Sequence, residues 1–152
     1  MTLYTINDMS SPYGVYTATV NETNGISAGD LVKPTGSTEA TTSNYSTPIA
    51  SSLLLVSACD GNGDEALVSG IALDDQTDGL EIPIATRGLF LMQANESTTQ
   101  GKMLSQMGSA TAMKVVDAEA GGRQIGIALS GCNAQNEYVL VLFGLGPTGT
   151  EG

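Results

Sequence analysis

Two stretches of this chain, residues 67–90 (LVSGIALDDQTDGLEIPIATRGLF) and 122–145 (GRQIGIALSGCNAQNEYVLVLFGL), share the tetrapeptide GIAL, at 70–73 and 126–129. Aligned on it without a gap, Glu81 falls on Glu137, Gly88 on Gly144 and Leu89 on Leu145. Each copy then carries a polar turn (74–79 or 130–135) and an extended apolar run (80–85 or 138–143). Short runs separated by turn residues read as strand, turn, strand, the pattern of a β-hairpin. Leu80, Ile82 and Ile84 alternate with Glu81, Pro83 and Ala85, which predicts one buried face. Pro83 has no N–H for a ladder and predicts an edge or a bulge. The run 138–143 is apolar on both faces and fits a more central strand.

A second pair of blocks precedes each GIAL. SAGDLVKPTGS (27–37) matches TQGKMLSQMGS (99–109) at Gly29/Gly101, Gly36/Gly108 and Ser37/Ser109. The connection to GIAL is longer in the first copy. It holds STEATTSNYSTP (37–48), which reads as an exposed loop, and SLLLVSAC (52–59), an apolar run too short to classify by period. Two blocks in the same order twice predict an internal duplication. The expected fold class is mainly β: a small β-barrel or β-sandwich built from two related strand-turn-strand halves, with an extended N-terminal arm. The expected boundaries are an arm or strand at 1–25, a β domain at 26–145 with units at about 27–90 and 99–146, and a flexible tail at 146–152. The segment 1–25 has no evident copy, although Val15, Thr17 and Thr19 alternate with Tyr16, Ala18 and Val20 as in a strand.

Composition narrows the function classes. A length of 152 residues fits one domain. The chain has 19 Gly but no Trp, 2 Phe and 5 Tyr, so its core is built with few large aromatic anchors. Acidic residues outnumber basic ones 16 to 5, for a net charge of −11. That charge repels phosphate backbones and anionic bilayers, so neither nucleic acid nor membrane is an expected direct partner. The N-terminus lacks the basic start and apolar run of a secretory signal, and 139–143 is too short to cross a bilayer. Synthesis in a cytoplasm is therefore expected, with Cys59 and Cys132 as free thiols.

Catalytic chemistry has little to work with. There is no histidine, which removes Ser-His-Asp and Cys-His catalysis and all His-based metal sites. The acidic pairs Asp64/Glu65 and Asp74/Asp75 sit in turn-like polar clusters. Asp60, Asn62 and Asp64 have the alternate oxygen spacing of a calcium loop. Glu65 stands where that loop needs Gly, and Ile71 where it needs Glu, so this is a weak metal candidate. No catalytic residue and no cofactor is expected.

The order GDLVKPTG, VSGIALDD, IPIATRGLFLM, GKMLSQMG, RQIGIALSG, YVLVLFGL resembles the small capsid-cement, or head decoration, proteins of tailed viruses, over residues 26–145. The second start, Gly101-Lys102-Met103, departs from that pattern by lacking its acidic residue. The resemblance implies a compact β-barrel-like structural protein, not an enzyme, made in the host cytoplasm and carried on the outer capsid surface of the virion. There it would bridge neighbouring major capsid protein subunits, as a homotrimer, and stabilise the head. Interface candidates are the arm 1–20, with Tyr4, Tyr13 and Tyr16 as anchors, and Arg87, facing a carboxylate across a contact. The loop 37–48 is an alternative contact. The rival readings are a virion-surface adhesion or carbohydrate-binding module and a tail or neck component.

Overall fold

The computed structural model describes residues 14–35, 54–61, 63–106, 114–117 and 122–146. Its strands are β1 (Val15–Val20), β2 (Leu31–Pro34), β3 (Leu55–Ala58), β4 (Gly70–Ala72), β5 (Glu81–Ala85), β6 (Arg87–Ala94), β7 (Met103–Gln106), β8 (Lys114–Asp117), β9 (Gln124–Ala128) and β10 (Tyr138–Gly144). They close into two five-stranded barrels, ordered β1-β3-β2-β4-β5 and β6-β8-β7-β9-β10. The two orders are the same once β1 is matched to β6, β2 to β7, and so on. Each ladder also keeps its direction, including the parallel pairs β1·β3 and β6·β8. The β class and the two related halves hold, and each half closes into a barrel of its own.

The duplication extends to individual rungs. Leu31 pairs with Ile71 and Val32 with Gly70; in the second barrel Met103 pairs with Ile127 and Leu104 with Gly126. Gly29 N–H donates to Ala72 O at 2.8 Å, and Gly101 N–H to Ala128 O at 2.7 Å. The tetrapeptide begins with Gly for a steric reason. A Cβ at Gly70 would overlap the Ile84 side chain and stand 2.7 Å from Ala85 O. A Cβ at Gly126 would run into the Leu142 carbonyl and stand 2.9 Å from Val141 Cγ1. Each glycine lets its strand lie close against the next one.

The gapless alignment fails after the turn. Ala72 pairs with Ile84, but Ala128 pairs with Val141, so the second connection is one residue longer. Gly79 and Asn136 take equivalent left-handed positions, at φ 83° and 71°, and donate to the matched carbonyls Val20 O and Ala94 O. Glu81 thereby matches Tyr138, not Glu137. Gly88 and Leu89 fall in β6, opposite Phe143 and Leu142, and do not close the first unit. Residues 15–20 form a wall of the first barrel, pairing with β3 and β5, and β6 is their counterpart. Thr86 alone links the last strand of the first barrel, β5, to the first strand of the second, β6. Residues 1–13, 37–48 and 147–152 lie outside the described residues. Pro83 lies on a strand paired on both sides, with β1 and β4, because a closed barrel has no edge. The β4 ladder stops at Ala72↔Ile84, and beyond it Pro83 O accepts from Leu73 N–H at 3.1 Å.

Inside the first barrel Ala18, Val20, Ile26, Val32, Val56, Ala72, Ile82 and Ile84 form a small-residue core. The second barrel encloses larger groups, including Met92, Leu104, Val139 and Val141. Phe90 and Phe143 meet there edge to face, with ring centres 5.9 Å apart.

Candidate interaction surfaces

The junction between the barrels is apolar. Leu31, Ile71 and Ala85 sit on β2, β4 and β5 with their side chains outward, since their neighbours Val32, Ala72 and Ile84 fill the first barrel and successive strand residues face opposite ways. All three are buried, and they belong with Cys59 and Val68 to the cluster formed by the second barrel's core. Two polar contacts pin the seam. Gln106 Nε2 donates to Cys59 O at 2.7 Å, and Arg123 Nη1 donates to Val68 O at 2.8 Å. Burial, and secondarily the charge of Asp64, pushes the Cys59 thiol up to about 12. Cys59 and Cys132 are both free thiols, the first buried and the second half-buried.

The contact candidates named from the sequence separate. Tyr4 and Tyr13 lie outside the described residues. Tyr16 is half-buried, packs against the first barrel's core, and points its hydroxyl at Ser69 O and Ser69 Oγ, at 3.3 and 3.2 Å. Burial raises its pKa above the ordinary phenol value. Arg87 is exposed at the start of β6, opposite Gly144. Of the calcium candidates, Asn62 lies outside the described residues and Asp60 is exposed. Asp64 is buried, with Oδ1 2.6 Å from Lys33 Nζ and Oδ2 accepting from Gly61 N–H at 2.7 Å. Both of its oxygens are thus taken up in holding the loop. Among the described residues no group of three or more Cys, Asp or Glu is placed to hold a metal ion.

Two features were not singled out from the sequence. A cleft of about 380 Å³ opens where the barrels meet, lined by Ile71 and Leu73 on one side and by Phe90, Leu91, Gln93 and Tyr138 on the other. Beside it, the outer face of the second barrel carries Leu91, Met103, Ile127, Leu129, Tyr138 and Leu142, all exposed. The register sets Leu89, Leu142, Ile127 and Met103 side by side across β6, β10, β9 and β7. The only hint in the sequence is that 138–143 is apolar on both faces. It is indeed paired on both sides, but its outer face meets no part of the described chain that would bury it.

No protein-family model matches the chain and no curated protein matches its sequence. Among solved structures, it is similar to the N base of head fiber gp8.5 in bacteriophage phi29, with a TM-score of 0.52 at 12% identity. The likeness covers 85% of this chain and 92% of that one. At this identity what is shared is the fold.

Proposed function

We propose that this chain is a structural protein of a tailed-virus head, bound to the outside of the capsid. The observation that carries the reading is the fold shared, over most of both chains, with the base of a phage head fiber. It meets, from a separate direction, the sequence blocks that resemble capsid-cement proteins. In this reading the chain acts as a homotrimer that contacts major capsid protein subunits and bridges them. Anything that binds the assembled lattice but not its loosened form stabilises the lattice by mass action, so no reaction is needed and no cofactor enters. Residues 1–20 and Arg87 are the proposed contacts. The test is to mix the purified chain with emptied heads of the virus that encodes it and sediment the heads. Saturable co-sedimentation, with heads that survive heating longer, is expected. Heads that pellet without the chain at any concentration would refute the reading.

A further inference from the structure

The second barrel's outer face poses a question that the first barrel answers. By register, Leu31, Ile71 and Ala85 correspond to Met103, Ile127 and Leu142. The first three are almost fully buried, because the second barrel covers them. Met103 and Ile127 are 37% and 36% exposed, and Leu142 48%. Where the first barrel's outer wall is free of that contact it turns polar: Thr17 and Glu81 are exposed. Their counterparts are Leu91, 65% exposed, and Tyr138, 57% exposed. So the second barrel carries the apolar residues of a covered wall, extended by a Leu and a Tyr, with no cover from the described chain. A contiguous apolar face of this kind on a soluble protein marks an interaction site.

We propose that a second copy of this chain covers this face, so that copies associate through the outer walls of their second barrels. Three observations favour that occupant. The same wall of the same fold is already covered once, inside the chain, by another barrel of that fold. The face is continuous with that internal contact, since Leu91 and Tyr138 also line the cleft at the seam, which gives a partner's side chain a concave place to enter. And the chain carries a net charge of −11, whereas the outward positions of β6, β9 and β10 hold Leu89, Leu91, Gln93, Ile127, Tyr138, Leu140 and Leu142, with Arg87 at the start of β6 and Lys102 and Glu137 beside the face. Copies that repel one another elsewhere meet there across few charges, and copies related by one symmetry axis close into a ring that leaves no such face open. The inference rests on the preceding reading only for the number of copies, and it names the surface that builds the oligomer.

The test is light scattering on the full chain, from micromolar concentrations upward, at low and high salt. Wild type is expected at three times 15.5 kDa. The pair Leu91→Glu and Leu142→Glu is expected at the monomer mass, with an unchanged circular dichroism spectrum. The milder pair Leu91→Ser and Leu142→Ser gives the same readout if the Glu pair does not fold. Thr17→Glu, at the matching place on the first barrel, is expected to leave the oligomer intact. A wild type that stays monomeric throughout, or leucine variants that keep the wild-type mass, overturns the proposal. Variants that keep their mass but no longer bind heads overturn it in favour of a capsid subunit as occupant, and leave the head reading standing. Variants that fall to monomers, while wild type never binds heads, support this inference and refute the head reading alone.

Discussion

In the first barrel Leu31, Ile71 and Ala85 point outward and are buried; in the second, Met103, Ile127 and Leu142 point outward from the same rungs and are exposed. The interiors differ too. The first barrel is filled by Ala, Val and Ile, the second by a Phe pair with Met and Leu around it. Where the second barrel has Phe90, the first has Tyr16, whose hydroxyl reaches the polar Ser69. One topology is therefore stabilised in two ways. The first barrel gains from the wall it buries against its neighbour, since each fully buried Leu or Ile contributes about 1.5–3 kcal/mol. The second relies on its own larger interior and keeps a comparable wall in reserve. Burial of an outward strand position depends on what lies next to the barrel, not on the barrel itself.

The sharpest way to break the equivalence is at the two GIAL glycines. Gly126→Ala pushes a Cβ against the Leu142 carbonyl, a backbone group that cannot swing aside. Gly70→Ala meets the Ile84 side chain and, at 2.7 Å, the Ala85 carbonyl, a backbone contact less close than the one at Gly126. Both are expected to destabilise, by about 3 kcal/mol or more for Gly126→Ala and less for Gly70→Ala. Denaturant titration of the two variants checks the order; a Gly126→Ala protein as stable as wild type would remove the close-approach account of the repeat. Next comes the wall itself. Ile71→Ala empties a buried site and should cost about 3 kcal/mol. Ile127→Ala, on the matched rung, should stay within about 1 kcal/mol when measured on monomers. Equal losses would mean that the two walls are equally covered.

How much of this was legible in the sequence depends on the kind of contact. The glycines, the hairpins and the β class follow from turn residues and alternation, which are local. The strand at 15–20 was legible as a strand, but its role was not. It closes the first barrel through β5, pairing Val15 with Ala85 and Thr19 with Glu81, and no local pattern reports a partner so distant in the chain. The extra residue in the second turn was hidden because Glu81 and Glu137 coincide by letter while Asn136 replaces Gly79 in the left-handed position. The candidate surface was hidden for a further reason. Leu and Ile look the same in a sequence whether a neighbouring barrel covers them, as at Ile71, or nothing described does, as at Ile127.

The seam between the barrels also has a pH signature. The Cys59 thiol is pushed from its ordinary 9.0 up to about 12, chiefly by burial. In the unfolded chain it ionises near the ordinary value. Between those two values the unfolded state binds fewer protons than the folded one, so stability falls as pH rises. The contribution is fully present below pH 9.0 and is lost towards about 12. The slope contributed by this one group is at most about 1.4 kcal/mol per pH unit. Cys59→Ala lacks the group, so its stability should fall less steeply than wild type over that range. Parallel curves for wild type and Cys59→Ala would show that the seam admits the thiolate.

The smallest expected effect is an exchange of turn residues between the barrels. Gly79 and Asn136 hold the same left-handed place and donate to matched carbonyls, Val20 O and Ala94 O. A left-handed backbone costs an ordinary L-residue about 1–2 kcal/mol, but Asn tolerates it because its short polar side chain bonds locally. A Cβ at Gly79 meets nothing within 4 Å, so the conformation is the only obstacle there. Gly79→Asn is therefore expected to change stability by less than about 0.5 kcal/mol, whereas Gly79→Ala should cost about 1 kcal/mol. Asn136→Gly should likewise be close to neutral. If Gly79→Asn were as damaging as Gly79→Ala, the two turns would not be equivalent, and the one-residue difference between the copies would lie elsewhere in the connection. If both asparagine and glycine serve at both places, the two barrels share their turn chemistry as well as their ladders, and what distinguishes them is their cores and outer walls.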